Sequence, residues 1–107
     1  MELAMSTAAL FIIHKTKPGM RNDVKEVWMR NMAPAIQSNP QHLAYFYNFD
    51  ATDADSICAF QQYASADAAR EFLEHPNYLK YLKEVEPLLE GPPVVKNLVP
   101  QWIKTAA

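Results

Sequence analysis

A chain of 107 residues with ten basic and twelve acidic side chains, formal charge −2, suffices for one domain that buries roughly 60 to 70% of its unfolded surface. Half the residues are hydrophobic, 21% are charged and two are glycine, which excludes a disordered chain. The charges are scattered, with no run of lysine or arginine able to follow a phosphate backbone, so nucleic acid is not an expected partner.

The apolar stretch Ala8 to Ile13 is far shorter than the roughly 20 residues of a membrane helix, and Met1-Glu2-Leu3-Ala4 lacks the basic region of a secretory signal. A soluble, cytoplasmic protein is expected, with no membrane partner. Cys58 has no second cysteine to pair with and sits in an apolar run, which reads as a small core residue in a reducing compartment.

The first strand is read over Ala9–Thr16, an apolar, β-branched run ended by Lys17-Pro18-Gly19. From Met20 the spacing turns helical: Met20, Val24, Val27, Trp28, Ala35 and Ile36 share one side, and Arg21, Lys25, Glu26 and Arg30 the other. Pro34 should bend or break this helix, and Ser38-Asn39-Pro40 should end it. His42 to Asp50 is the second strand, with Leu43, Tyr45, Tyr47 and Phe49 on one face and Ala44, Phe46 and Asn48 on the other.

Residues 51–55 form a turn by composition, and Ser56 to Tyr63 completes a hairpin. Ser65 is a plausible N-cap for a helix with Asp67 in its first turn and Phe72 and Leu73 buried. His75-Pro76 interrupts it, and a second helix repeats Tyr78, Leu79, Leu82, Val85 and Leu89 at helical spacing. After Gly91-Pro92-Pro93, Val94–Ile103 is read as a last strand, with Pro100 at an edge or bulge.

The order β-α-β-β-α-β describes one α+β domain over 1–107, core about 8–103, with a ferredoxin-like, four-stranded antiparallel sheet and helices on one face. A sheet with water on its second face should alternate apolar and polar, yet Leu10 and Ile12 oppose Phe11 and Ile13, and Tyr45 and Tyr47 oppose Phe46. The bare face needs a cover, and a second copy of the chain is the simplest one: a homodimer is expected.

Gln61-Gln62-Tyr63-Ala64-Ser65 at a strand end, Ala68-Ala69-Arg70-Glu71-Phe72-Leu73, and His75-Pro76-Asn77-Tyr78 together resemble the antibiotic biosynthesis monooxygenase family, over roughly Ala8 to Ile103 in element order and spacing. The resemblance implies a dimeric α+β barrel. It implies one of several activities: oxygenation of quinols or polycyclic aromatics without metal or flavin, or haem degradation. Where many members carry an acidic residue near the end of the third strand, this chain has Gln61. The family's common histidine pair falls on Phe72 and Asn77, and His75 takes a serine's place.

Cofactor-free oxygenation needs an apolar, dry site with aromatic walls and one group that takes a proton, because a deprotonated phenol or quinol can itself reduce dioxygen. His75, at the helix break, is the histidine best placed as base, and equally a natural helix cap. His14, at the end of the first strand, is a second candidate or a solvated neighbour of Lys15 and Lys17. His42, beside a proline turn, reads as surface. Asn77 and Gln61 could hold a substrate oxygen or satisfy backbone groups. Tyr45, Tyr47, Tyr63 and Trp28 could line the pocket or belong to the core, and Tyr78 and Tyr81 pack or lie at the dimer contact.

His75, Asn77, Gln61 and Tyr63 are expected to converge between the sheet and the second helical region of one subunit. No metal and no cofactor is expected, since the histidines are far apart, the cysteine is alone and no glycine-rich phosphate loop exists. The leading expectation is a small cofactor-independent monooxygenase acting on a hydroxylated aromatic or quinol. A non-catalytic module of the same fold that sequesters a small apolar molecule is the second reading, and a haem-binding or haem-degrading enzyme the third.

Overall fold

The computed structural model describes residues 7–104. Its elements are β1 (Ala8–Lys15), α1 (Arg21–Asn31), α2 (Ala33–Gln37), β2 (His42–Phe49), β3 (Ser56–Tyr63), α3 (Ala66–Leu73), α4 (Pro76–Val85), a 3₁₀ turn (Glu86–Leu88) and β4 (Val94–Leu98). The four strands form one antiparallel sheet in the order β2-β3-β1-β4. This is the expected ferredoxin-like arrangement. The expected helices are each divided in two.

The divisions occur at the prolines. Pro34 lies in the first turn of α2, where its missing N–H has no helical partner to lose, and the Met32 N–H closes α1 on the Trp28 carbonyl at 2.7 Å. Pro76 opens α4, with His75 in extended backbone before it. Ser65 caps α3 as its type suggests, its hydroxyl accepting the Ala68 N–H at 3.0 Å. After β1 the chain turns at Gly19, whose φ of 78° is a conformation that favours glycine.

Alternation along the strands gives the sheet two unlike faces. Leu10, Ile12, His14, Ile57, Ala59, Gln61 and Tyr63 are buried against the helices, where Val24, Trp28, Phe72, Tyr78, Tyr81 and Val85 complete the core. On the opposite face Phe46, Phe60 and Phe11 stand in register across three strands, with Lys96 beyond them on β4. Phe46 is 59% exposed there. Cys58 belongs to this face and is half-buried, so it is not the core residue that its apolar neighbours suggest.

Four details differ from the sequence reading. The last strand ends at Leu98, which pairs with Ala9, rather than at Ile103, because Pro100 can give no N–H to the ladder. A shift of register between His42 and Ala44 leaves Leu43 46% exposed instead of beside Tyr45. On α4 the buried row is Tyr78, Tyr81 and Val85, while Leu79 is 52% exposed. β1 is displaced by one residue at each end, and Thr16 makes an isolated bridge to Leu89.

Candidate functional site

The layer between sheet and helices gathers the five tyrosines of the sequence, Trp28, Phe72 and two histidines. Trp28, from the buried side of α1, stacks on Tyr47 with ring centroids 4.1 Å apart and meets Tyr45 at 5.5 Å. At the other end, the His42 ring lies 4.6 Å from Tyr63 and stands edge-on to Phe72 at 4.9 Å. His42 is therefore no surface residue: the register shift that expels Leu43 turns its neighbour inward.

Gln61 is fully buried, and its side-chain oxygen accepts the Tyr63 hydroxyl at 2.6 Å. Those two expected site residues do meet. Asn77 instead donates to the Asn31 carbonyl at 3.2 Å, which ties the start of α4 to the end of α1. His75 is exposed, and its Nδ1 accepts the Asn77 backbone N–H at 3.0 Å. Both residues stand at the rim, occupied by backbone, and only a small cavity of about 10 Å³, lined in part by Met32, His42, Phe72 and His75, reaches inward from there. That volume suits about one water molecule.

His14 is 4% exposed and lies 5.6 Å from Tyr81, ring centre to ring centre. Burial lowers its pKa from 6.5 to about 4, so it is neutral at physiological pH. Burial also lowers His42 to about 4, with a further push from the nearby His75 charge. The phenols move the other way: burial raises Tyr78 to about 12 and raises Tyr45, Tyr47, Tyr63 and Tyr81 further. Every hydroxyl in the layer is thus a donor, not an anion.

Five buried side-chain atoms among the described residues make no hydrogen bond: His14 Nδ1, both His42 nitrogens, and the hydroxyls of Tyr47 and Tyr81. The hydroxyls of Tyr47 and Tyr81 are near enough to shift each other's ionisation as a hydrogen-bonding pair does, although they fall outside ordinary hydrogen-bond geometry. Buried polar atoms are ordinarily paired, and all five of these lie in one aromatic layer. Tyr81 and His42 were not singled out as site residues from sequence, and a helix row or a strand-start histidine carries no signal that would have done so.

No group of three histidine, cysteine, aspartate or glutamate side chains among the described residues is arranged to hold a metal ion. Nor is any described helix long and apolar enough to cross a membrane. Family models and curated proteins give no match to the chain. Solved structures do. A protein from Caulobacter crescentus provisionally named an antibiotic biosynthesis monooxygenase superimposes with a TM-score of 0.82 at 18% identity, over 94% of this chain and 95% of that one.

A second of the same provisional name, from Chloroflexus aurantiacus, gives 0.75 at 20% identity over 95% of this chain and all of that one, 100%. Rv0793 from Mycobacterium tuberculosis gives 0.77 at 24% identity, with 95% and 100% covered. The chain has the fold of these proteins provisionally named antibiotic biosynthesis monooxygenases.

Proposed function

We propose that the chain is a small cofactor-independent monooxygenase acting on a quinol or other flat hydroxylated aromatic, bound in the layer between sheet and helices. The observation that carries this is the set of five buried polar atoms without hydrogen bonds that lie along one aromatic layer. A water-poor site with few polar groups is what a deprotonated aromatic needs in order to pass electrons to dioxygen. The stoichiometry asks for nothing else: a phenol and O₂ give a quinone and water, the ring supplying all four electrons, one oxygen staying on it and the other leaving as water.

In this reading His14 takes the substrate proton, and Trp28, Tyr45, Tyr47, Gln61 and Tyr63 form the walls. His75 and Asn77, once expected to act on the substrate, hold the α3–α4 joint against α1. The energetics are tolerable. Moving a proton from a phenol of pKa about 10 to an imidazole near 4 costs about 8 kcal/mol, and more where burial raises the phenol as it raises Tyr78. The resulting ion pair, about 4 Å apart at an effective dielectric near 20, returns about 4 kcal/mol. The remainder is well below the barrier of an enzyme with ordinary turnover.

The test is an oxygen electrode with a panel of quinols and naphthols. Uptake with one of them, reduced about 100-fold by His14→Gln, is expected. No uptake with any substrate that binds would leave the second reading, a module that sequesters an aromatic without chemistry. One observation favours that alternative: the low basicity of His14 and His42 makes both weak acceptors. The proposal includes a homodimer joined through the bare sheet face, and a reducing, cytoplasmic setting in which Cys58 stays a thiol, its pKa raised by burial.

A further inference from the structure

We infer that the arm after β4, residues 99–103, is a clasp that closes on the β2 edge of a second copy of the chain. This goes beyond the homodimer proposed above and rests on it. Pro100 takes the arm out of the sheet, and the Gln101 side chain donates to the Val99 carbonyl within the arm at 3.2 Å. Val99 is 74% exposed and Trp102 80%, so a five-residue arm presents two large apolar side chains to water.

The arm stands over one end of the bare sheet face. Val99 and Trp102, with Ala9, Phe60 and Gln62 of the sheet, line a gap of about 390 Å³. Hydrophobic burial favours collapse of such an arm onto its own sheet, yet here the gap stays open between two apolar walls. It has the form of a seat for another chain's side chains. Of the large apolar side chains exposed among the described residues, all but Met29 and Leu79 belong to the bare face, the start of β2 or the arm.

The sheet register tells which part of a second copy reaches the arm. Two such faces can meet about a two-fold axis that lies across the strands or along them. An axis across the strands sets β4 over β4, and Lys96, which ends the row Phe46, Phe60 and Phe11, against its own copy. That would bring two like charges together in the contact. An axis along the strands lays the row end for end, with Lys96 over the Phe46 ring of the second copy, a cation on an aromatic face. Charge selects the second arrangement, in which β4 runs over the second copy's β2.

Leu98, Ala9, Gln62 and Ala44 share the next row, so Leu98 then lies over Ala44 of the second copy. Beyond Leu98 the arm continues to where that β2 begins, at the register shift that leaves Leu43 46% exposed. Val99 and Trp102 of each copy thereby cover Leu43 of the other.

The dimer dissociation constant, from sedimentation of a dilution series, tests the clasp. Trp102→Ala should raise it about 30-fold or more and Leu43→Asp about tenfold, with the double variant well short of the product, because both changes remove one contact. Leu79→Asp, on the helix side, should change nothing. All three side chains are largely exposed in the single chain, so each variant should keep a native circular dichroism spectrum. Trp28 is 8% exposed, which leaves Trp102 as the tryptophan that acrylamide reaches. Its fluorescence should be quenched in a Phe60→Glu monomer and shielded in the native dimer.

A Trp102→Ala dimer of native affinity, or effects of Trp102→Ala and Leu43→Asp that multiply in full, overturns the clasp and leaves the homodimer standing. Shielding of Trp102 in the Phe60→Glu monomer also overturns it, since the arm then closes on its own sheet. A native chain that stays monomeric removes the homodimer and the clasp together.

Discussion

His14 makes stability depend on pH in a direction fixed by its environment. Its folded pKa, about 4, lies below the ordinary 6.5, so the unfolded chain binds the proton that the folded chain excludes. The stabilisation is complete above about pH 6.5 and is lost as pH falls toward 4. The shift corresponds to about 3 kcal/mol for this one buried group, and His42 adds to it in the same window. Urea midpoints measured from pH 7.5 to 4 should therefore fall steeply, and His14→Gln should flatten the curve; a pH-independent midpoint in the native protein would contradict the burial of both imidazoles. Tyr81 gives the complementary case. Its hydroxyl is buried and makes no hydrogen bond in ordinary geometry, so Tyr81→Phe should leave the melting temperature unchanged or raise it. A marked loss of stability would mean that the hydroxyl is bonded in solution.

At the level of elements, the two proline breaks and the Ser65 cap follow from local chemistry, and so were readable before any fold was known. Pro34 and Pro76 cannot donate, and a serine before an acidic first turn has a backbone N–H to accept. What local chemistry did not show is where a ladder ends or slips. The apolar pattern alone carries the strand past Leu98, although Pro100, two residues on, has no N–H to give a ladder. The shift at Leu43 has no glycine or proline to mark it, and with it went the placement of His42. The approach of Tyr81 to His14, ring centres 5.6 Å apart, depends on how α4 packs over β1, which no single segment states. His75 was legible as both base and cap, and its Nδ1 now accepts the Asn77 N–H. His75→Ala should accordingly cost about 1 kcal/mol, read as a lower melting temperature, with substrate binding and turnover unchanged. A large fall in turnover with a normal melting temperature would return His75 to the mechanism.

For the whole molecule, the informative feature is the failure of alternation. The helix-covered face explains Leu10, Ile12 and the tyrosines, but the row Phe46, Phe60 and Phe11 faces away from every helix of its own chain. Phe46 and Phe60 pack on each other at 6.4 Å, and Val94 and Leu98 on the edge strand extend the same apolar surface. A patch of this kind is larger than monomers ordinarily expose, and a stable interface needs about 800 Å² from each partner, which one face of a four-stranded sheet can supply. An isologous pair sets this face against itself, each phenylalanine row meeting the other across a two-fold axis. The native chain should then elute at twice its own mass, with a melting temperature that rises with protein concentration, as association requires. Phe60→Glu would bury a carboxylate at the centre of the contact while leaving the helix-side core intact. It should give a monomer whose circular dichroism is native and whose melting temperature no longer depends on concentration. A native chain that stays monomeric at micromolar concentration, or a Phe60→Glu variant that still dimerises, would show that something other than a second copy covers the sheet.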